Sequence, residues 1–158
     1  MKKICSTIIT LFLLISCNTP KYKKLVLNYD LFNFEIFTGL ELRNRGFDKD
    51  GNIILLIFEK NSLVYNATII LDKKNKNIIS VETIKGNPKE QRFLNTIVSK
   101  FIKINVPYLK VDYNQNIFIN PSNFENYNLV RLENPKSFFK KRNKNHFKKI
   151  NKNWYLRE

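Results

Sequence analysis

Apolar and polar residues alternate along much of the first half of the chain, with the period of two that is typical of half-buried β-strands. Phe32, Phe34 and Ile36 are separated by single polar residues, and β-type segments recur over residues 25–83. Residues 53–58 are apolar throughout, which indicates a central strand covered on both faces. This part of the chain is therefore predicted to be mainly β-sheet.

Three polar turns separate the apolar segments and contain the residue types that favour tight hairpin connections, chiefly Asp and Asn. They lie at residues 47–53, 71–78 and 111–117. Each turn has an Asp after an apolar residue and closes on Asn-Ile. The shared pattern predicts three hairpins of one antiparallel sheet.

One segment has the three-to-four-residue apolar spacing of an amphipathic helix. Asn87, Pro88 and Glu90 are typical of a helix start, and Pro107 closes the segment. The apolar stripe consists of Phe93, Leu94, Ile97, Val98, Phe101 and Ile102. We expect this helix to cover one face of the sheet, with a position on a membrane surface as the alternative.

The remainder of the chain adds shorter apolar segments, at residues 109–111, 117–119, 129–132 and 154–156. The last of these is expected to be a strand or an aromatic anchor, and Asn134-Pro135 is a candidate start for a second helix. Together the patterns predict an α+β fold: an antiparallel β-sheet of about six to eight strands covered by one amphipathic helix, with a basic C-terminal segment.

The N-terminal seventeen residues have a different character from everything that follows. Lys2 and Lys3 precede an apolar stretch, Ile8–Ile15, that is interrupted by a single Thr. The stretch is shorter than the roughly 20 residues that a bilayer-spanning helix needs, but it has the length of a secretory signal core. It ends in Leu14-Ile15-Ser16-Cys17.

Leu14-Ile15-Ser16-Cys17 resembles the lipobox of bacterial lipoproteins, in which an aliphatic residue stands three positions before the Cys and a small residue just before it. The resemblance implies cleavage after Ser16 and attachment of a diacylglyceryl group, with acyl chains such as palmitate, to the Cys17 sulfur. An ordinary cleaved signal with a chance Cys, or a buried helix, is the alternative. The resemblance is confined to residues 1–17.

Cleavage at this position defines the predicted domain organisation. Residues 1–16 would be a lipoprotein signal peptide, residues 17–24 a short lipid-anchored tether, and residues 25–158 a single α+β domain. The expected location is the cell envelope, anchored to a membrane. Asn18 follows the lipidated Cys where Asp would signal inner-membrane retention, which slightly favours the outer membrane or cell surface. Cys5 would be lost with the signal, so no intramolecular disulfide is expected.

The predicted mature chain is strongly basic, with 26 Lys and Arg against 13 acidic residues. Residues 134–158 contribute nine of the cations and one acid, Glu158. Export argues against a nucleic-acid partner, so anionic lipid or another envelope polymer is the expected polyanion. The residues proposed to contact it are Lys140, Lys141, Arg142, Lys148 and Lys149. The alternative is a solvated face whose neighbouring aromatic residues pack on the sheet.

Candidate catalytic chemistry is sparse. His146 is the single His and lies among lysines, and residues 48–52 fit a hairpin turn better than a calcium loop. We therefore expect no catalytic residue, no cofactor and no metal. The predicted function is a lipid-anchored binding or interaction module, with a membrane and possibly a protein as partners. The alternatives are an envelope hydrolase that uses converging carboxylates and a protective, immunity-type lipoprotein.

Overall fold

The computed structural model describes residues 18–72, 77–83, 88–140, 142 and 144–158. The predicted signal peptide, the predicted lipid-attachment residue Cys17 and the predicted contact residue Lys141 lie outside this part of the chain. The helices are α1 Asn18–Tyr29, α2 Pro88–Ile104 and α3 Pro135–Lys140, with 3-10 turns at Glu35–Phe37 and Lys144–His146. The strands are β1 Leu40–Phe47, β2 Ile53–Glu59, β3 Ser62–Leu71, β4 Ile78–Thr83, β5 Tyr108–Val111, β6 Ile117–Asn120, β7 Leu129–Arg131, β8 Phe147–Asn151 and β9 Trp154–Arg157.

These strands form one antiparallel sheet in the order β4-β3-β2-β1-β5-β6-β7-β9-β8. The three predicted hairpins are confirmed, since β1 pairs with β2, β3 with β4 and β5 with β6. The polar turn at Asp48 shows why these residues make hairpins. Its carboxylate Oδ1 accepts the backbone N–H groups of Asp50 and Asn52, each at 2.9 Å, which folds the chain back on itself.

The main hydrophobic core lies on the face of the sheet that α1 and α2 cover, which we call the inner face. Val26 and Tyr29 of α1, and Leu94, Ile97 and Phe101 of α2, are buried against it. Helix α2 begins at Pro88, as the sequence predicts, and its 3.6-residue stripe supplies the buried side chains. It ends where Asn105 adopts a left-handed φ of 55°, a typical helix stop.

A second, smaller core covers the other face of the sheet, the outer face, over strands β5 to β9. Helix α3 provides Phe138, which packs with Tyr108, Phe118, Val130 and Tyr155. The predicted second helix therefore exists, but it is short. The neighbouring outer face of β1 to β4 has no helix over it among the described residues.

The α+β class is correct, but the finer prediction is wrong in two respects. The described chain has nine strands rather than six to eight, and three helices rather than one covering helix. The extra strand comes from β8, in the Asn- and Lys-rich tract. Its Ile150 is buried, and Lys152 makes the tight turn to β9 with a φ of 35°.

The segment before β1 also differs from the β prediction. Residues 18–24, predicted as a tether, form part of helix α1, and residues 25–29 continue that helix instead of starting a strand. Tyr22, Val26 and Tyr29 recur at helical spacing and pack on the inner face. The alternating segment that includes Phe34 is a bend and a 3-10 turn, because Asn33 Oδ1 accepts the Glu35 backbone N–H at 2.9 Å.

Candidate functional site

Two of the predicted anion-contact residues, Lys148 and Lys149, lie on opposite faces of the sheet. Lys148 and Lys149 are consecutive in the edge strand β8, so their side chains leave opposite faces of the sheet. Lys148 pairs in register with Leu156, and Lys149 with Tyr155. Cations on an edge strand also discourage pairing with a foreign strand, which is a structural reason for their presence. Lys140 is exposed at the end of α3.

Arg142 is the predicted contact residue that lines a concave site. It borders a pocket of about 310 Å³ at one end of the sheet. The lining residues, from three separate segments, are Tyr127, Arg142, His146, Phe147, Arg157 and Glu158. We call this the basic pocket, because it combines two guanidinium groups and an imidazole with one carboxylate. Tyr127 and Arg157 could not be predicted as site residues, because no local sequence pattern connects them with Arg142.

Aromatic rings hold both guanidinium groups of the basic pocket in place. The Arg142 Cζ atom lies 4.2 Å from the ring centroid of Phe138, and the Arg157 Cζ atom lies 5.2 Å from that of Tyr127. Such stacking orients a guanidinium while leaving its N–H groups, which lie in the plane, able to donate hydrogen bonds. Within the described residues, neither guanidinium pairs with a carboxylate.

Backbone hydrogen bonds fix the walls of the basic pocket. The Arg157 N–H donates to the Asn128 carbonyl at 2.8 Å, and the Glu158 N–H donates to the His146 carbonyl at 2.9 Å. The Glu158 carboxylate lies 4.0 Å from the Lys148 ammonium, which partly offsets its negative charge. The side chains that line the pocket therefore carry more cationic than anionic groups on a fixed frame, a geometry that suits a phosphate or carboxylate group.

A larger cleft of about 510 Å³ adjoins α3 and shares Arg142 with the basic pocket. Asp112 and Glu133 both line it, so two carboxylates do converge there. Asp112 is committed to its own turn, however. Its Oδ1 accepts the N–H groups of Asn114 and Asn116, and its Oδ2 accepts the Asn116 side-chain amide, each at 2.9 Å. This geometry gives Asp112 a structural role in the turn between β5 and β6.

A third polar group lies on the outer face of β1 and β5, around the buried carboxylate of Glu41. Arg43 Nε donates to Glu41 Oε1 at 2.7 Å, its Nη2 contacts the same oxygen, and Lys110 Nζ donates to Oε2 at 2.9 Å. The Arg43 guanidinium also lies 4.9 Å from the ring centroid of Phe58. Sequence alternation alone would have placed Glu41 on a solvated face.

Charge and burial act in opposite directions on Glu41. Burial raises its pKa, but the hydrogen bonds and charges of Lys110 and Arg43 outweigh burial and hold the pKa below its usual value of 4.5. A lowered pKa in the folded state means that the ionised carboxylate stabilises the fold above about pH 4.5. That contribution is lost as the pH falls through the lower, folded-state pKa.

We expect Glu41→Gln to reduce the free energy of unfolding at neutral pH by about 1–2 kcal/mol, because charge-assisted hydrogen bonds are lost while water screens both cations. Denaturant titrations at a series of pH values measure this. The difference from the unsubstituted chain should shrink as the pH falls below 4.5. Glu125→Gln removes an exposed carboxylate outside the network and serves as the control. A difference that stays constant with pH would contradict the assigned role of the Glu41 charge.

The described residues contain no group of three or more His, Cys, Asp or Glu side chains placed to hold a metal ion. No helix in that part of the chain is long and apolar enough to cross a membrane. No family model, curated protein or solved structure matches this chain.

Proposed function

We propose that this chain is a lipid-anchored protein of the bacterial cell envelope that binds an anionic group in the basic pocket. The lipobox-like sequence ending at Cys17 supports the anchor and the location. The observation that carries the binding function is the pair of guanidinium groups, Arg142 and Arg157, each stacked on an aromatic ring beside His146. This arrangement favours a binding module over an enzyme.

The charged groups that line the basic pocket indicate the class of ligand that it binds. Two guanidinium groups can each donate two parallel hydrogen bonds to a phosphate or carboxylate, and the His146 imidazole adds a further N–H donor. Lipid headgroups and phosphate-containing envelope polymers both carry such groups. The ligand is therefore proposed to be a phosphate group, and the experiment distinguishes a lipid headgroup from a phosphate-containing polymer as its source.

We expect Arg142→Gln and Arg157→Gln each to weaken binding of the full chain to polyphosphate by about tenfold, because each removes a bidentate donor. Binding is measured by titration calorimetry on the lipoprotein in detergent micelles. The matched control is Arg45→Gln, which removes the same charge from an exposed site in β1. That control should change the affinity by less than about twofold, because it alters only screened, long-range attraction.

Two further arms of this experiment separate the ligand sources. Titration with glycerophosphoglycerol, the water-soluble headgroup of phosphatidylglycerol, tests the headgroup, and inorganic phosphate tests the isolated group. Circular dichroism of each variant confirms that the fold is retained. Equal losses in all three variants would mean that binding follows overall charge, and the pocket assignment would then be wrong.

A further inference from the structure

Helix α1 has an unusual division between its two sides. Val26 and Tyr29 are buried on the inner face of the sheet, with 0% and 4% of their surface exposed. On the opposite side Leu27 is 56% exposed, and Leu31, in the turn that follows the helix, is 85% exposed. Two strongly exposed leucines four residues apart are candidates for contact with an apolar environment.

The same side of the helix is cationic. Lys23 and Lys24 are exposed, as is Lys21 one turn earlier. No acidic residue occurs within α1. The first acid after it, Asp30, is engaged elsewhere, because its Oδ1 accepts the Trp154 indole N–H at 2.8 Å. The exposed side of α1 therefore combines apolar side chains with uncompensated positive charge, the pattern of a helix that lies in a membrane interface.

The position of α1 in the chain identifies the membrane concerned. The helix begins at Asn18, the residue directly after Cys17. Its inward side is tied to the sheet, since the Asn128 side-chain amide donates to the Tyr22 hydroxyl at 3.2 Å and the Tyr29 and Trp154 rings lie 6.1 Å apart. A lipid on Cys17 would hold this firmly packed helix at the bilayer surface, without a flexible spacer among the described residues.

We propose that the outward side of α1, formed by Lys23, Lys24, Leu27 and Leu31, lies on the anionic surface of the bilayer that anchors Cys17. This inference rests on the proposed lipid attachment. Two observations indicate that this bilayer covers the outward side of α1. The side carries lysines that complement an anionic surface, and the helix begins directly after the anchored residue. Because α1 covers the inner face, the outer face of the sheet then turns away from the bilayer. Phe147 and Arg157 of the basic pocket lie on that outer face with Tyr155, on the side of the sheet opposite α1.

A pair of leucines provides a matched test. Leu27 is 56% exposed on α1, which packs against β8. Leu63 is 52% exposed at the start of β3, seven strands away from β8 in the sheet. Leu27→Cys and Leu63→Cys are labelled with an environment-sensitive fluorophore in the lipoprotein. Each is reconstituted into vesicles of phosphatidylglycerol and phosphatidylcholine that carry nitroxide-labelled lipid. Cys17 is acylated in the proposed state, so the introduced thiol is the one labelled.

We expect quenching at position 27 to exceed that at position 63 by about twofold or more, and to fall when phosphatidylglycerol is omitted. Equal quenching at both positions would overturn the proposal. The mass of the N-terminal peptide is measured on the same samples. If the peptide is acylated and quenching is equal at the two positions, only the proposed position of α1 on the bilayer is wrong. If the peptide is not acylated, the proposed function is wrong. A Leu31→Glu substitution in the labelled Leu27→Cys chain gives a second reading, since it should move position 27 away from the quencher while the acyl chains keep the protein on the vesicle.

Discussion

Replacing Cys17 with alanine is expected to abolish incorporation of labelled fatty acid into the protein and to remove its lipid-dependent attachment to membranes. The sulfur of Cys17 is the proposed site of the diacylglyceryl group, and alanine offers no nucleophile in its place. Two acyl chains hold a protein stably, because each buried methylene contributes about 0.8 kcal/mol, whereas a single chain binds reversibly. Metabolic labelling with an alkyne-tagged fatty acid, followed by membrane fractionation, measures both effects.

The chain contains its own control for this experiment. Cys5→Ala removes the other cysteine, which lies within the predicted signal peptide. That variant should keep full labelling and full membrane association. To separate lipid from a retained signal segment, residues 1–16 are also replaced by an ordinary cleavable signal in the Cys17→Ala chain. Fatty-acid label on the Cys17→Ala protein, or complete membrane retention after the signal exchange, would contradict the anchor.

Replacing Trp154 with alanine is expected to lower the free energy of unfolding by about 3–5 kcal/mol, a large part of the stability of a single domain. Trp154 is fully buried in β9. Its indole N–H donates to Asp30 at the end of α1, and its ring packs beside Tyr29. The substitution therefore opens a cavity at the contact between α1 and the sheet. Denaturant unfolding followed by far-UV circular dichroism measures the change.

Trp154→Phe separates packing from hydrogen bonding at the same position. Phenylalanine keeps most of the apolar volume but removes the indole donor, so the expected loss is about 1–2 kcal/mol. Asp30 Oδ1 keeps a charged neighbour, because Arg131 Nη1 lies 3.8 Å away. If the alanine and phenylalanine variants are equally stable, Trp154 does not anchor α1 as the structure describes.

The parts of the fold that follow local patterns could be predicted from the sequence. The hairpin turn at Asp48 depends on hydrogen bonds within five residues, and α2 combines its own start signal with a regular apolar stripe. The spacing of Tyr22, Val26 and Tyr29 is also a local helical signal. Pro20 and the three lysines around Tyr22 mask this signal, because they make the segment resemble a polar tether. Strand β8 carried too weak an apolar signal to be recognised beside its lysines.

The candidate site could be predicted only in part, since it depends on contacts between distant segments. Arg142 stood out as one of several cations in a basic tract. Arg142 can be identified as a pocket residue only from the tertiary structure. The Phe138 ring packs against its guanidinium, and strand β9 places Arg157 against Tyr127. Likewise, Glu41 becomes a buried network centre only when β5 places Lys110 beside it. Charge composition identifies the region, and tertiary pairing decides which cations act together.

Lipid attachment at Cys17 is tested by the mass of the N-terminal peptide of the protein, extracted from membranes of the producing bacterium. We expect a peptide that begins at Cys17 and carries a diacylglyceryl group, with or without a third acyl chain on its amino group. A peptide that begins elsewhere, or an unmodified Cys17, would contradict the proposal that this chain is a lipid-anchored envelope protein.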